Sequence, residues 1–323
     1  MRNKIFLVFF IVMFSLTGCG VNMKPLIKGE YYLSMEKYQD GIRSLQKDLI
    51  ENPNDPNIHY FLGRFHLAEK NSKAALIHLK KAVEFSPRKA GYHFWLGIAY
   101  SANKQSNMEK KSYEKALELN PKHLESRIYL AHTQMERKQY KEALANYSNV
   151  LKNWEDEPAS LYNKALALNK LNRKKEETAA WKEYLDFYPA GPMARNAADH
   201  LNSLGDLSYR NYLIGLRTIT LRNIRFEPLS DELIWGSKKS LYFLGEILSK
   251  VDKVSIHIIA YQKNNKQLAE QRAKSIKKYL LESFPQMASS RLKVSWFDVP
   301  EKIQAGGKTV QKNESINFIT VAK

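Results

Sequence analysis

The chain has 323 residues, of which 26% are charged and 44% are hydrophobic, and it contains a single cysteine. This length suits two domains, and one cysteine excludes an internal disulfide framework. The net charge of +18 favours attraction to polyanions through the summed field of the protein, although lysine-rich helix faces that are merely solvated would give the same excess.

The first elements along the chain are those of an export signal. Arg2 and Lys4 precede an apolar run over residues 5–16, and small residues follow it. The run is about a dozen residues long, whereas a membrane-spanning helix needs roughly twenty. Residues 1–18 are therefore predicted to be a signal peptide, and export makes nucleic acid a poor candidate partner.

The signal ends in Leu16-Thr17-Gly18-Cys19, which resembles the lipobox of bacterial lipoproteins. The resemblance implies cleavage before Cys19, acylation of its thiol (palmitate) and a lipid anchor. The alternative is an ordinary signal peptide with a chance cysteine. Gly20, not aspartate, follows the cysteine, and by resemblance to sorting in enteric-type bacteria this implies the periplasmic face of the outer membrane.

Residues 19–205 repeat with a period of 34 residues. Small residues and prolines mark this period: Gly29, Gly63, Gly97, Ala131 and Ala165, and Pro53, Pro87 and Pro121. A fixed period of this length predicts an all-α solenoid of stacked helical hairpins. The pattern resembles tetratricopeptide repeats, with units at 22–55, 56–89, 90–123, 124–157 and 158–191 and a capping helix over 193–204.

The residue types at these positions follow from packing. Small residues such as Gly63 and Gly97 let antiparallel helices approach closely. Large apolar side chains are expected to fill the space between hairpins: Leu79, Tyr113, Tyr147 and Trp181. Proline ends each second helix because it cannot continue the hydrogen-bond ladder.

Tetratricopeptide solenoids hold a peptide or a partner helix on the face lined by the first helix of each hairpin. The family register implies these groove positions: Tyr60, Arg64, Phe94, Ile98, Ile128, His132, Tyr162 and Leu166. Exposed aromatic side chains with arginine are typical interface anchors. The alternative is that several of them pack between helices. The row lacks the succession of Lys, Arg and Asn that this family uses for acidic chain ends.

In residues 206–323 the 34-residue repeat stops, and apolar residues alternate with polar ones in several short segments. Alternation at 218–221, 254–258, 294–296 and 316–318 predicts strands, and helix-like segments lie at 237–251 and 266–283. The order β-α-β-α-β-β predicts an α/β sandwich with the helices on one face of a sheet.

This second domain resembles OmpA-like domains. The matching segments are Ile224-Arg225-Phe226 with Leu229 and Ser230-Asp231, and Leu268-Ala269-Glu270-Gln271-Arg272-Ala273, which is similar to the family's L-S-x-x-R-A helix. The resemblance implies binding of peptidoglycan diaminopimelate by an aspartate after the central strand and by the helix arginine.

The diaminopimelate pattern is incomplete in this chain. Lys263 stands where the family has the aspartate, and Glu314-Ser315 replaces its paired arginines, so Arg272 alone is retained. We therefore expect the fold to persist without diaminopimelate binding. The alternative is a different binding geometry through Lys263, Lys266 and Arg272.

Motifs for catalysis or metal binding are missing from the sequence. No G-x-S-x-G or H-E-x-x-H occurs, and Gly307-Lys308-Thr309 is not a P-loop because Lys302 takes the place of the required glycine. His59 and His66 lie seven residues apart with no joining carboxylate or cysteine, so structural roles are expected. No enzyme activity, metal or cofactor is predicted.

The sequence as a whole predicts a lipoprotein that acts as a protein–protein interaction scaffold. Its partner would be part of an envelope assembly such as a pilus, secretion or export system. The alternative function is a peptidoglycan-binding tether between outer membrane and cell wall.

Overall fold

The computed structural model describes residues 23–251 and 253–321, and these fall into two compact units, one up to Ser126 and one from Arg127. This division lies within the repeat region. The domain boundary expected between residues 205 and 206 stays a prediction.

Helices follow one another in pairs through the first two thirds of the chain. They are α1 (Met23–Ser34), α2 (Tyr38–Glu51), α3 (Pro56–Ala68), α4 (Ser72–Phe85), α5 (Ala90–Ala102), α6 (Ser106–Leu119), α7 (Leu124–Glu136), α8 (Tyr140–Leu151), α9 (Pro158–Lys170), α10 (Lys174–Phe187) and α11 (Pro192–Ser203). Each of the five predicted repeats, 22–55 to 158–191, contains one helical pair, and α11 lies at the position of the predicted capping helix. The helical tetratricopeptide solenoid is thus confirmed.

The 34-residue period is also present in the backbone. The turn inside each hairpin contains one non-glycine residue with a positive φ between 55° and 60°: Glu36, Lys70, Lys104, Lys138 and Asn172. These residues are again 34 apart. Because the left-handed region is unfavourable for residues with a Cβ atom, the packing of each helical pair must hold these turns in place.

The helices of a pair approach closely at the predicted glycines. A Cβ atom at Gly63 would lie 2.4 Å from Leu79 Cγ, and one at Gly97 would lie 2.4 Å from Tyr113 Cε1. Tyr147 is also fully buried. The prolines Pro53, Pro87 and Pro121 each follow the end of a second helix by two residues, as predicted.

The C-terminal part contains strands around two helices. They are β1 (Tyr209–Ile214), β2 (Arg217–Arg222), α12 (Trp235–Ser249), β3 (Ser255–Gln262), α13 (Lys266–Ser283), β4 (Leu292–Phe297), β5 (Glu301–Ala305), β6 (Lys308–Lys312) and β7 (Glu314–Val321). Strand β3 is central in the order β4-β3-β7, parallel to β4 and antiparallel to β7. Strands β1 and β2 form one antiparallel pair, and β5 and β6 form another.

Apolar side chains of β3 and of both helices form one core. Ile256 and Ile258 of β3 lie in it with Leu244 of α12 and Ile276 of α13. The predicted strands and both predicted helices are therefore present. Within the described part of the chain, no helix is both long enough and apolar enough to span a membrane.

The sequence prediction missed three strands. In β1 the buried positions are Tyr209, Tyr212 and Ile214, which breaks the strict alternation. In β5 the inward positions begin with Glu301, a charged residue, so no apolar alternation marks the strand. Gly306 and Gly307, the second of which begins the rejected P-loop motif, form the turn between β5 and β6.

Candidate functional site

In the first unit, an aromatic cluster with one arginine joins the first helices α3 and α5. Tyr60 and Tyr92 are stacked with ring centroids 4.7 Å apart, and the Tyr92 hydroxyl donates to Asn57 Oδ1 at 2.8 Å. Arg64 lies one turn after Tyr60, donates from Nη1 to the Tyr60 hydroxyl at 3.0 Å, and has its Cζ atom 4.4 Å from the Trp95 ring centroid. We call Asn57, Tyr60, Arg64, Tyr92 and Trp95 the Arg64 cluster.

The Nε atom of Arg64 is buried and has no hydrogen-bond partner in the described part of the chain. No carboxylate is paired with this guanidinium there. The aromatic faces attract the cation, yet a buried donor without an acceptor costs about 1–3 kcal/mol. The guanidinium is therefore held by the Trp95 ring and the Tyr60 hydroxyl and not by a carboxylate of the described residues.

The two tyrosines of the Arg64 cluster remain protonated at neutral pH. Burial raises the pKa of Tyr60, and the positive charge of Arg64 opposes part of that effect. Burial, with smaller contributions from Tyr60 and Asp55, raises the pKa of Tyr92 to about 12. Both phenols thus act as neutral groups beside the arginine.

Two of the predicted groove residues are buried instead. Phe94 is 8% exposed and packs against Tyr113 and His123, with ring centroids 6.0 and 5.3 Å away. Ile128, in the second unit, is 7% exposed. The expectation that they line an open groove is corrected to helix packing, because the register fixes a position on the helix but not how far the neighbouring side chains cover it.

The remaining predicted groove residues are partly exposed. Ile98 is half-buried on α5. In the second unit, His132 lies 5.8 Å from Tyr129, centroid to centroid, and 3.4 Å from Asn163 Nδ2 through its Nε2 atom. Burial lowers the pKa of His132, with Glu157 and Glu136 opposing the shift.

Tyr162 and Leu166, the last two predicted groove residues, lie on α9 in the second unit. The Tyr162 ring meets the edges of Trp181 and Tyr184 at centroid distances of 5.0 and 5.3 Å. Leu166 is half-buried and packs against the core of the second unit. The Tyr162 ring is therefore partly exposed to solvent and partly held by its contacts with Trp181 and Tyr184.

Sequence reasoning missed three members of the Arg64 cluster, namely Asn57, Tyr92 and Trp95. The family register had assigned two positions on each first helix, and these three lie outside them. Aromatic residues recur on successive first helices, and this recurrence was a signal that could have located the cluster. Tyr92 and Trp95 both lie within two positions of Phe94, which the register selects.

In the C-terminal part, Arg272 lines a polar cavity of about 230 Å³ together with Phe226, Tyr261 and Glu314. Arg272 is 4% exposed, and its Nη1 atom donates to Gln262 Oε1 at 2.5 Å and to Glu314 Oε2 at 2.9 Å. Its Nε atom donates to the Ser230 carbonyl at 2.9 Å. A carboxylate of the chain itself therefore neutralises the retained arginine.

Lys263 is exposed directly after β3 and does not line this cavity. Its backbone N–H donates to the Asn313 carbonyl at 2.7 Å. The structure thus does not bring Lys263 and Arg272 together in one site. Cys19, the predicted lipidation residue, lies outside the described residues.

The predicted structural roles of the histidines have a geometric basis. His59 Nε2 lies 2.9 Å from the Pro53 carbonyl, and one repeat later His93 Nε2 lies 2.8 Å from the Pro87 carbonyl. Each histidine thus ties a first helix to the turn before it. The described residues contain no group of three or more His, Cys, Asp or Glu side chains that could hold a metal ion.

Comparison with known proteins identifies the repeats. Family models described as tetratricopeptide repeat match residues 28–92, 90–123 and 112–145. No curated protein matches the chain.

One of the similar solved structures shares the helical fold at a TM-score of 0.50. The structure titled "Functional Characterization of Pseudomonas Aeruginosa pilF" is 17% identical in sequence to this chain. The match covers 56% of this chain and 81% of the other, with a TM-score of 0.50. The crystal structure of MamA is 18% identical in sequence, and the match covers 49% of this chain and 93% of MamA with a TM-score of 0.47. YrrB, titled "a TPR protein with an unusual peptide-binding site", is 16% identical in sequence, and the match covers 52% of this chain and 87% of YrrB with a TM-score of 0.47. The family models and the helical pairs show that the chain contains tetratricopeptide repeats, a repeat type that typically serves as a protein-interaction module.

Proposed function

We propose that this protein is a lipoprotein of the outer membrane, facing the periplasm, that holds a protein partner on the first helices of its tetratricopeptide repeats. The partner belongs to an envelope assembly such as a pilus, secretion or export system. The observation that carries this proposal is the Arg64 cluster, in which partly exposed aromatic rings surround a guanidinium that pairs with no carboxylate of the described residues.

The Arg64 cluster combines the features of an interface anchor. Tyrosine, tryptophan and arginine are enriched among the few residues that carry most of the binding energy of protein interfaces. Arg64 is oriented in advance by the Trp95 ring and the Tyr60 hydroxyl. A carboxylate of the partner would give this guanidinium the charged acceptor that the described residues do not supply.

Site-specific photo-crosslinking in intact cells tests the proposal. A photoreactive residue at position 60, and separately at position 162, should capture the same protein. A photoreactive residue at position 81, where Lys81 is exposed on the second helix α4, is the matched control and should not capture it. Phe94 and Ile128 are unsuitable positions because they are buried.

Arg64 variants sharpen this test. Arg64→Ala should reduce capture at position 60 by about tenfold, the equivalent of about 1.4 kcal/mol, and Arg64→Lys should restore little because lysine lacks the planar fork. Equal capture at positions 60 and 81, or none at either, would contradict the proposal.

The lipid anchor is proposed from the sequence around Cys19. One acyl chain anchors a protein only marginally, whereas the several chains of a bacterial lipoprotein hold it firmly. Labelled palmitate should be incorporated into the wild-type protein and not into a Cys19→Ser variant. Incorporation into both would exclude this cysteine as the lipid site.

A peptidoglycan tether is the second candidate, because the polar cavity at Arg272 could accept a carboxylate. The ion pair with Glu314 argues against it, since that carboxylate already occupies the guanidinium. We therefore expect the intact protein not to sediment with purified sacculi. Sedimentation of the wild type that is lost in Arg272→Lys, a variant that keeps the positive charge, would favour the tether instead.

A further inference from the structure

A second cleft, of about 490 Å³, lies in the second unit between the end of α10, strand β2 and the start of α12. Trp235 is 71% exposed at its rim, and Lys239 Nζ lies 4.0 Å from the centroid of the Trp235 ring. Ligand pockets commonly have volumes of about 300–1,000 Å³, and tryptophan is a frequent anchor residue at protein interfaces. None of the predicted groove residues lines this cleft.

The charges around the cleft are mainly positive. Arg222, Arg225 and Lys239 line it, and Asp186 is the acidic residue among its lining residues. Asp186 is already used, because its Oδ1 atom accepts from the Tyr209 hydroxyl at 2.5 Å and from Arg222 Nη1 at 3.3 Å. Arg225 and Lys239 pair with no carboxylate of residues 23–251 and 253–321.

The wall that carries these cations is held in place by hydrogen bonds. Ser237 Oγ accepts from the Arg225 N–H at 2.7 Å and donates to the Arg225 carbonyl at 2.9 Å. This exchange fixes the backbone of Arg225 against the first turn of α12. The Arg225 side chain therefore projects from a backbone segment that is tied to α12.

The first turn of α12 adds a partial positive charge to the same wall. Its N-cap residue, Ile234, offers no side-chain acceptor, and within the described structure the amides of Trp235 and Gly236 have no hydrogen-bond partner. Gly236 lines the cleft and leaves the approach open, since a Cβ atom there would meet nothing nearer than Arg222 Nη1 at 3.9 Å. Free amides at a helix start favour anionic oxygen atoms.

We propose that this cleft binds an acidic segment of a partner protein. Carboxylates of the segment meet Arg225, Lys239 and the free amides at the start of α12, and an apolar side chain packs on Trp235. Charge complementarity selects this occupant, because three cations and one already-paired carboxylate surround an exposed aromatic ring. The site is separate from the first-helix face and goes beyond the function proposed above.

Fluorescence anisotropy with the full chain in detergent tests the site. The probe is a fluorescein-labelled pentapeptide of glutamates around one phenylalanine, and the same peptide with lysines in place of the glutamates is the negative probe. We expect Lys239→Glu, Arg225→Glu and Trp235→Ala each to weaken binding of the acidic probe by about tenfold. All these side chains are exposed, so the unfolding midpoint should not move.

Matched control variants distinguish a discrete binding site from a general attraction between the acidic probe and the net positive charge of the protein. Lys302→Glu changes the net charge equally on the exposed side of β5, and Trp154→Ala removes an exposed tryptophan elsewhere in the second unit. Both should leave the affinity within about twofold, less than about 0.5 kcal/mol. The proposal is overturned if Lys302→Glu weakens binding as much as Lys239→Glu, if Trp235→Ala has no effect, or if the acidic probe does not bind. Preference for an uncharged chitooligosaccharide over the acidic probe would also overturn it.

Discussion

Single glycines set the distance between the helices of the solenoid. The Tyr113 ring lies where a side chain at position 97 would begin, so the residue on α5 must be glycine for α5 and α6 to pack as they do. At Gly91, on the same helix, an added Cβ atom would meet no neighbouring heavy atom within 4 Å. The two glycines therefore form a matched pair that separates packing from helix propensity.

We expect Gly97→Ala to be less stable than Gly91→Ala by about 1–3 kcal/mol, because overpacking forces the ring or the backbone to shift. Gly91→Ala should be neutral or stabilising by up to about 1 kcal/mol, the gain in helix propensity. Urea unfolding followed by far-ultraviolet circular dichroism measures both. Equal midpoints for the two variants would show that the close approach at Gly97 is unimportant.

Three histidines meet between α3 and α4. His59 Nδ1 and His78 Nδ1 are 3.0 Å apart, and the His66 ring stacks on His78 at 5.5 Å. Burial first, then the neighbouring His59, His66 and Lys81, lowers the pKa of His78 from 6.5 to about 4. His78 is therefore neutral in the folded protein at pH values where it is protonated in the unfolded chain.

The free energy of unfolding should fall as the pH drops from 6.5, and the loss should be complete near pH 4. In this window the unfolded state binds the additional proton, so acid favours unfolding. We expect a loss of about 1–2 kcal/mol, since partial exposure screens the effect. Urea unfolding at pH 7 and pH 5 measures it, with His78→Gln as control. A variant with the same pH dependence as the wild type would refute the assignment.

At the level of elements, the β5–β6 hairpin is joined to β1 by a buried ion pair. Arg210 donates to both carboxylate oxygens of Glu301, at 2.9 and 3.0 Å, and Asn317 of β7 donates to the same carboxylate at 3.1 Å. The hairpin turn also packs closely, because a Cβ atom at Gly306 would lie 2.7 Å from the Ser203 carbonyl oxygen at the end of α11.

Glu301→Ala should destabilise the protein by about 3–5 kcal/mol, because it leaves Arg210 buried without a partner. The double variant Arg210→Met/Glu301→Ala should lose much less than the sum of the losses in Arg210→Met and Glu301→Ala, since it removes both charges together. A double-mutant cycle in urea gives this coupling. Additive losses would mean that the pair contributes no coupling energy.

Element prediction succeeded where one period dominated the residues. The helices of the solenoid and α13 follow apolar positions at helical spacing, and β3 follows strict alternation at Ile256 and Ile258. Strand β5 escaped prediction because its inward charge, Glu301, is neutralised by an arginine 91 residues away. The Arg64 cluster was found in part, since the register located Tyr60 and Arg64 but carries no information on which neighbours stack on them.

At the scale of the whole molecule, attachment is proposed to depend on one residue. The cavity at Arg272 is already neutralised by Glu314, so the lipid on Cys19 is the protein's proposed firm attachment. The excess of basic residues runs through both halves of the sequence.

A Cys19→Ser variant should therefore be released as a soluble periplasmic protein. Fractionation of cells into membrane, soluble periplasm and sacculi measures the distribution, and the wild type is expected in the membrane fraction. A variant that still sediments with sacculi would contradict this proposal, and Glu314 would then not prevent wall binding.

The sequence by itself determined the helical repeat, its period and the main strands of the C-terminal part, because each of these follows from local spacing of apolar residues, glycines and prolines. The tertiary structure decided which side chains remain open. It buried Phe94 and Ile128, assembled Tyr92 and Trp95 around Arg64, and paired Arg272 with Glu314. These outcomes depend on contacts between residues distant in sequence, and no periodicity records such contacts.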